Sequence, residues 1–317
     1  LGSGVSGSTI ANLLSKKYSV CVFDKARGPG GRSSNKRLKN SLSFDHGVQY
    51  ISPKNKDFSI FIKELIKKKI LKTWSGKHLD FSFEKKPISN KIIGKNANND
   101  LVKFLLKDIK ISFSSPIAKI EYKKKNWEIT LKDNSSHQFK RLILTCPYPQ
   151  LKKLSKKYLN KKILNLKIKM QPNITGMIAL KGKNNLLVSS IKFKDDILAW
   201  ASYENSKNRF KSNINLWTLQ ASLKWSVEKI NKFKKNNKVL NELVSRFLKL
   251  TGYKKNEIIY KKIHGWKYSY NYNSTKMKCL WIKKYQLGVC GDWFLGPKVE
   301  HAWISAVSLF REIQKKT

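Results

Sequence analysis

Behind a glycine-rich opening, apolar residues recur at Ile10, Leu13 and Leu14, a helical spacing, and residues 18–23 follow as a compact run of strand type. A second helical pattern (Phe58, Phe61, Ile62, Leu65, Ile66) covers residues 58–71. From 111 to 144 the period shortens to two. Trp127, Ile129 and Leu131 alternate with polar neighbours, Asp133-Asn134 supplies a turn, and 141–145 reads as a short buried strand ended by Pro147 and Pro149. Residues 151–273 mix both periods, with an amphipathic helix over 240–250 stopped by Gly252. The chain closes on a strand (287–290), a loop, and a helix carrying Ala302, Trp303, Ala306, Leu309, Phe310 and Ile313. Strand and helix units at both ends predict an α/β fold: a doubly wound sheet assembled from both extremities, with an α+β domain inserted between them.

At 317 residues the chain is long enough to bury a sizeable core, and a hydrophobic content of 40% with 11% aromatics fits a folded globular protein. No apolar run approaches the roughly 20 residues that a membrane-crossing helix needs. The formal charge of +46 invites a nucleic-acid reading. Two features argue against it. Only seven of the 66 basic residues are arginine, whose fork suits bases and phosphates, and the lysines are spread along the chain rather than gathered in a stripe. A solvated surface without a specific nucleic-acid partner is expected. Cys21, Cys146, Cys279 and Cys290 lie far apart with no C-x-x-C pair, which suits reduced thiols in a cytoplasmic protein better than a disulfide framework or a zinc site.

Gly2-Ser3-Gly4-Val5-Ser6-Gly7 is a G-x-G-x-x-G. Gly2 permits a tight turn, Gly4 lets backbone approach a pyrophosphate, and Gly7 allows close helix packing, with the phosphates on the N-terminus of the following helix. A glycine turn can also produce this pattern by chance. Asp24, at the end of the next strand, is placed to accept ribose hydroxyls and favours the dinucleotide reading. The strand expected ahead of the glycines would lie before Leu1. Residues 25–32 then carry a second glycine cluster, Gly28, Gly30 and Gly31, closed by Arg32. Small residues let such a loop run against a bound nucleotide, and the arginine can neutralise phosphate through paired donors. The alternative is a flexible surface turn with one arginine.

Asp24-Lys25 with Gly30-Gly31-Arg32, followed by Phe44-Asp45-His46-Gly47-Val48-Gln49-Tyr50, resembles the renalase-like branch of the flavin amine oxidase superfamily. Gly288-Val289-Cys290-Gly291-Asp292-Trp293-Phe294-Leu295-Gly296 and Val299-Glu300-His301-Ala302-Trp303 are similar to that family's closing motif. His264-Gly265-Trp266-Lys267-Tyr268 is similar to its aromatic segment. The resemblance covers nearly the whole chain. It implies non-covalent FAD in a two-domain fold like that of p-hydroxybenzoate hydroxylase. The FAD-binding domain would take residues 1–60, 97–150 and 276–317, and the substrate domain 61–96 and 151–275. Gly2, Gly4, Ser6, Gly7, Asp24, Lys25, Gly31 and Arg32 would hold the nucleotide, with Gln49 and Tyr50 where the chain passes the isoalloxazine. Asp292 would bind the pyrophosphate–ribityl region beside a helix N-terminus near Val299, and backbone groups at Ile117 would hold the adenine. Two departures stand out: His301 replaces a glycine common in the closing motif, and Ala306 replaces another small residue. Cys290, the nearest candidate for a covalent flavin link, reads as a buried, inert thiol.

Hydride transfer to a flavin needs a substrate C–H held over the ring with water excluded, while the cofactor supplies the electronics. No Ser/His/Asp or metal-ligand arrangement forces a role, and the five histidines show no ligand spacing. His78 and His137 read as ordinary surface or core residues. His46, His264 and Trp266 lie in family-like motifs and are the catalytic candidates. Tyr50, Trp266, Tyr268 and Trp293 read equally as core or as the wall of an aromatic pocket. The resemblance implies an oxidase that takes a hydride from a small reduced substrate, dihydro isomers of NAD(P)H first, and passes electrons to O2 to give H2O2. Three alternatives stay open: a flavin amine oxidase or desaturase of a small amine or lipid-like substrate, a nicotinamide-only dehydrogenase, and a basic nucleic-acid-binding protein on an old fold.

Overall fold

The computed structural model describes residues 1–39, 41–81, 91–182, 184, 186–235 and 237–315. Residues 82–90, part of the 61–96 segment expected in the substrate domain, lie outside the described residues. The α/β architecture expected from the sequence is the one that forms.

The first helix, Val5–Ser15, starts directly behind the glycine turn and packs against the last helix, Val299–Gln314, and the short helix Asp100–Leu105. The strand expected over 18–23 is only Cys21–Phe23, because the chain first closes the helix with Tyr18 N donating to Leu14 O. Cys21–Phe23 pairs in parallel with Lys110–Ser112, and Leu142–Leu144 pairs in parallel with Leu287–Val289. Leu1 and Gly2 bridge these two pairs: Gly2 N donates to Phe23 O at 2.8 Å and Thr145 N to Leu1 O at 3.1 Å. One layer is thus assembled from both extremities of the chain. A three-stranded meander, Ile117–Lys123, Asn126–Leu131 and Ser136–Phe139, flanks it. Trp127, Ile129 and Leu131 are its buried positions, as the period-two pattern requires. The helix expected over residues 58–71 stops at Lys67; Lys69 turns with φ 58° and Leu71 opens a strand, Leu71–Thr73.

The second layer is a six-stranded sheet in the order Ile258–Asn271, Met170–Leu180, Asn215–Ala221, Leu198–Tyr203, Ser190–Lys192, His78–Leu79. All its neighbours are antiparallel except the last pair. Side chains alternate across a strand, so the sheet has two distinct faces. On one, Ile174, Ile178, Trp217, Leu219 and Leu198 are fully buried against Leu243 and Phe247 of the helix Lys238–Thr251. That helix ends at Gly252, whose φ of 78° suits glycine and whose N–H closes on Leu248 O. On the other face, ladder partners form polar rows: His264, Thr175 and Gln220, then Thr218, Ser202, Ser190 and His78. This polar face is turned toward residues 44–50 of the first layer. Among the described residues no helix is long and apolar enough to cross a membrane.

The apolar face carries the stability of the second layer. Leu243 is 0% exposed within it, so Leu243→Ala should lower the unfolding free energy by about 2–5 kcal/mol. Urea titration followed by far-UV circular dichroism measures the loss, and a change under about 0.5 kcal/mol would contradict this packing.

Candidate functional site

Four segments meet at the N-terminus of the first helix. A Cβ on Gly7 would lie 1.8 Å from Gly2 O, so only glycine lets the turn fold onto the helix. Gly2 itself has φ +103°. The helix has no side-chain cap, and Ser8 N is the first to bond back, to Gly4 O at 2.8 Å. The N–H groups ahead of it and the helix dipole therefore present donors and partial positive charge. Asp24 folds the next loop onto this turn: one carboxylate oxygen accepts from Ser3 N and Ser3 Oγ, both at 2.6 Å, and the other from Ala26 N at 2.8 Å. Gly30 N donates to Ser3 O at 3.0 Å, and a Cβ on Gly31 would sit 3.2 Å from Gly4 Cα. The two glycine loops expected from the sequence thus lie against each other. Lys25 is exposed beside Asp24. Ser115 N donates to Asp24 O at 2.9 Å, which brings the approach to Ile117 alongside; Ile117 itself pairs with Leu131 in the meander.

From the far end of the chain, Asp292 takes two bonds from Arg32, at 2.8 and 2.6 Å, and the same guanidinium donates to Ser269 O at 2.8 Å. Two residues read separately as cofactor contacts are thus partners, and the pair ties the second glycine loop to the closing motif. The Ser6 hydroxyl donates to Ala302 O at 2.9 Å, so it joins the first and last helices and leaves the backbone N–H of Ser6 as its open donor. Val299 opens the last helix, again without a side-chain cap. Glu300 accepts from Lys54 N and Asn55 N at 2.6 and 2.7 Å. His301, in place of the usual glycine, sets its imidazole against Gly296. Cys290 is fully buried, and burial pushes its thiol far up, in keeping with an inert side chain.

The cradle leads directly into residues 45–50. Val48 N donates to Arg32 O at 2.8 Å, and a Cβ on Gly47 would lie 2.0 Å from that same oxygen. Here the catalytic candidates come together, His46 from near the start of the chain and His264 and Trp266 from one strand near its end. His46 and His264 meet edge to face at 4.8 Å, Trp266 lies 5.3 Å from His46 and 4.3 Å from His264, and Trp266 Nε1 donates to His46 O at 2.8 Å. Burial and the neighbouring His264 push His46 down to about 4, and burial lowers His264 as well, so both are neutral near neutral pH. Tyr50 stands between Trp74 and Trp200, with ring centroids 6.5 and 6.0 Å away. The Gln49 side chain faces inward: its nitrogen donates to Asp45 O and Gly47 O, and its oxygen accepts from Ser202 Oγ at 2.9 Å. Any outward contact of Gln49 is through its backbone. His78 is a core histidine bonded to Ser190 Oγ at 2.7 Å, and His137 is exposed.

Sequence reasoning missed a buried charge cluster behind this segment. Lys207 Nζ donates to Asp45 and Glu204, both at 2.9 Å, and lies 5.2 Å over the Trp74 ring. Arg209 also bonds Asp45, and reaches Gly94 O and Asn98 Oδ1 at 2.8 Å. None of the four side chains is more than 2% exposed. Burial alone would raise Asp45, but Lys207 and Arg209 hold it well below the ordinary carboxylate range; burial raises Glu204, with Lys207 offsetting part of the effect. The available signals were the three-residue spacing of Glu204 and Lys207 and the scarcity of arginine.

Residues 1–65, which hold both glycine loops and Asp24, match the family described as an NAD(P)-binding Rossmann-like domain. Renalase from Mus musculus is 28% identical over 172 residues, 49% of this chain and 48% of renalase. The chain spans about half the length of the curated relative it matches. A solved protein from Exiguobacterium sp. 255-15, described as a candidate protoporphyrinogen oxidase, superposes with a TM-score of 0.76 at 10% identity, over 100% of this chain and 98% of its own. A putrescine oxidase double mutant with redesigned cofactor binding gives 0.73 at 9% identity, over 99% and 98%. At such identities the likeness is one of fold, and it extends over the full chain.

The neutral histidines leave a pH signature. His46 titrates at 6.5 when unfolded and at about 4 in the fold, so the unfolded chain binds more protons between those values. Its contribution is complete above 6.5 and is lost as pH falls toward 4, on the order of 3 kcal/mol across the window. Urea titrations at about pH 7 and pH 4.5 should show a drop in stability that is smaller in His46→Gln by about 2 kcal/mol. Equal drops in both proteins would assign the loss to other groups.

Proposed function

We propose that this chain is an FAD-dependent oxidoreductase. It acts as an oxidase that takes a hydride from a small reduced substrate, most suitably a dihydro isomer of NAD(P)H, and passes the electrons to O2 to give H2O2. The observation that carries the reading is the uncapped helix N-terminus beneath two glycine loops in mutual contact. The cradle suits a pyrophosphate: a Cβ at Gly7 would meet Gly2 O at 1.8 Å, and one at Gly31 would meet Gly4 at 3.2 Å. The renalase match and the Rossmann-like match support it.

In this reading Gly2, Gly4, Ser6 and Gly7 hold the phosphates through backbone N–H groups, and Asp24 and Lys25 flank the ribose, with the turn before Ile117 beside the adenine. Arg32, Gly31, Asp292 and Val299 hold the phosphate–ribityl stretch, and Gln49 and Tyr50 present the chain to the ring. The bound flavin supplies the electron-accepting ring. The protein's own part is to orient the substrate and to keep water out. In this reading two aromatic groups at the ends of segment 46–50, Trp266 with His264 and Tyr50 with Trp200, make up the aromatic wall, and His46 and His264 add no charge to it at neutral pH.

The same wall discriminates between substrates. Asp45 and Glu204, the carboxylates packed behind it, are already neutralised by Lys207 and Arg209. Neither is available to pair with the cation of an amine, which speaks against the amine oxidase alternative despite the putrescine oxidase likeness. A planar, uncharged dihydropyridine suits an aromatic wall, and its phosphates suit a chain with a charge of +46. The four cysteines are unpaired, in keeping with a cytoplasmic site of action.

Protein produced with ample riboflavin should purify yellow. Anaerobic mixing with dihydronicotinamide isomers should bleach it, and air should restore the colour with formation of peroxide. A colourless protein that takes up no FAD would sink the reading, and bleaching by a small amine but not by the isomers would favour the amine oxidase. Arg32→Met, which removes two charge-assisted bonds to Asp292, should weaken FAD binding about tenfold or more by fluorescence titration.

A further inference from the structure

We propose that Lys207 is a positioning residue, acting through Gln49 to fix the segment 45–50 that presents the chain to the flavin ring; this rests on the flavin reading above. Lys207 is fully buried, and its ammonium lies between carboxylates from the two layers, Asp45 of the first and Glu204 of the second. An ammonium has three donors and no acceptor. The Gln49 oxygen lies 3.4 Å from Lys207 Nζ and also accepts from Ser202 Oγ. Turning the amide over would set its NH2 against the ammonium, so the cation dictates which way the amide faces. Once the oxygen faces Lys207, the nitrogen must face the carbonyls of Asp45 and Gly47, as it does. Gln220 holds the Gly47 carbonyl from the sheet at 2.7 Å. Two carbonyls of the segment are thereby drawn inward, and the path of Gly47 past Arg32 is set from behind.

Stability alone gives little reason for such a group. Buried ion pairs are often no better than an apolar replacement of the same volume, and their best-attested service is to fix one arrangement among several. Glu204 and Thr218 complete the constraint, with the Thr218 hydroxyl donating to Glu204 at 2.6 Å. None of these groups lies in the glycine cradle. Nucleotide binding and ring placement are therefore separable.

The test uses Glu204→Gln/Lys207→Met, which removes one buried charge of each sign and keeps the Asp45–Arg209 pair. The probe is the isomer mixture made by borohydride reduction of NAD+, with flavin reduction followed anaerobically by stopped flow. The double variant should hold FAD as the wild type does, show a shifted flavin absorbance band, and be reduced about tenfold more slowly at saturating probe, with little change in the half-saturating concentration. Lys207→Arg, which keeps charge and donors, should recover part of the rate. Ser202→Ala removes one bond to the Gln49 oxygen and should slow reduction about threefold. A double variant that holds FAD and is reduced within twofold of wild type overturns the proposal. Should the double variant not fold, Ser202→Ala at the wild-type rate overturns it instead. A wild-type protein that binds no FAD, or holds it and is not reduced by the probe, brings down the functional reading and this proposal with it, an outcome told apart by the wild-type control.

Discussion

The carbonyl of Gly2 occupies the place where a side chain at position 7 would begin, and the nucleotide end of the molecule is arranged around that close approach. It brings the turn down onto the first helix and leaves the leading N–H groups uncovered. The neighbouring loops then settle on the turn. Asp24 grips Ser3 by backbone and hydroxyl, Gly30 bonds the Ser3 carbonyl, and Gly31 can lie on Gly4 because neither carries a side chain. Anion affinity here is a property of backbone geometry, with Arg32 as a charged addition.

The second layer answers a different requirement. Its sheet must bury one face in a core, and Trp217, Leu219, Leu243 and Phe247 do that. Its other face must meet a segment rich in backbone polar groups, and an apolar surface would leave those groups without partners. Gln220 and Trp266 supply partners to the carbonyls of Gly47 and His46, Ser202 holds the Gln49 amide, and the four buried charges close the junction. The abundant lysines outside have no comparable role; most are solvated and contribute little to stability.

Much of this was legible in the sequence, for identifiable reasons. Period-two burial at Trp127, Ile129 and Leu131 and the helix stopped by Gly252 follow from local pattern alone. The glycine loops and Asp24 were legible because their spacing reports local geometry. Partnerships were not. Arg32 and Asp292 were each marked as cofactor contacts, but nothing in either neighbourhood says that they bind each other across 260 positions. Ser6 was read as a cofactor contact; its hydroxyl serves helix packing, a choice made by Ala302 on a distant helix. The helix expected to reach residue 71 ended early because Leu71 was claimed by a strand. His264 and Trp266 share one motif, but their meeting with His46 depends on how the segment around Gly47 docks on the sheet, through Trp266 Nε1 to His46 O and Gln220 to Gly47 O.

The balanced group of Asp45, Glu204, Lys207 and Arg209 also constrains how this lineage can vary. A single exchange at any of the four strands an uncompensated ion in a dry interior, whereas a matched exchange of one acid with one base keeps neutrality. These positions should therefore be inherited as pairs and change together in relatives, while the lysines that dominate the exterior drift one at a time. Co-variation across the chain, between a residue near its start and three near position 200, would be the written trace of two layers that meet through charge.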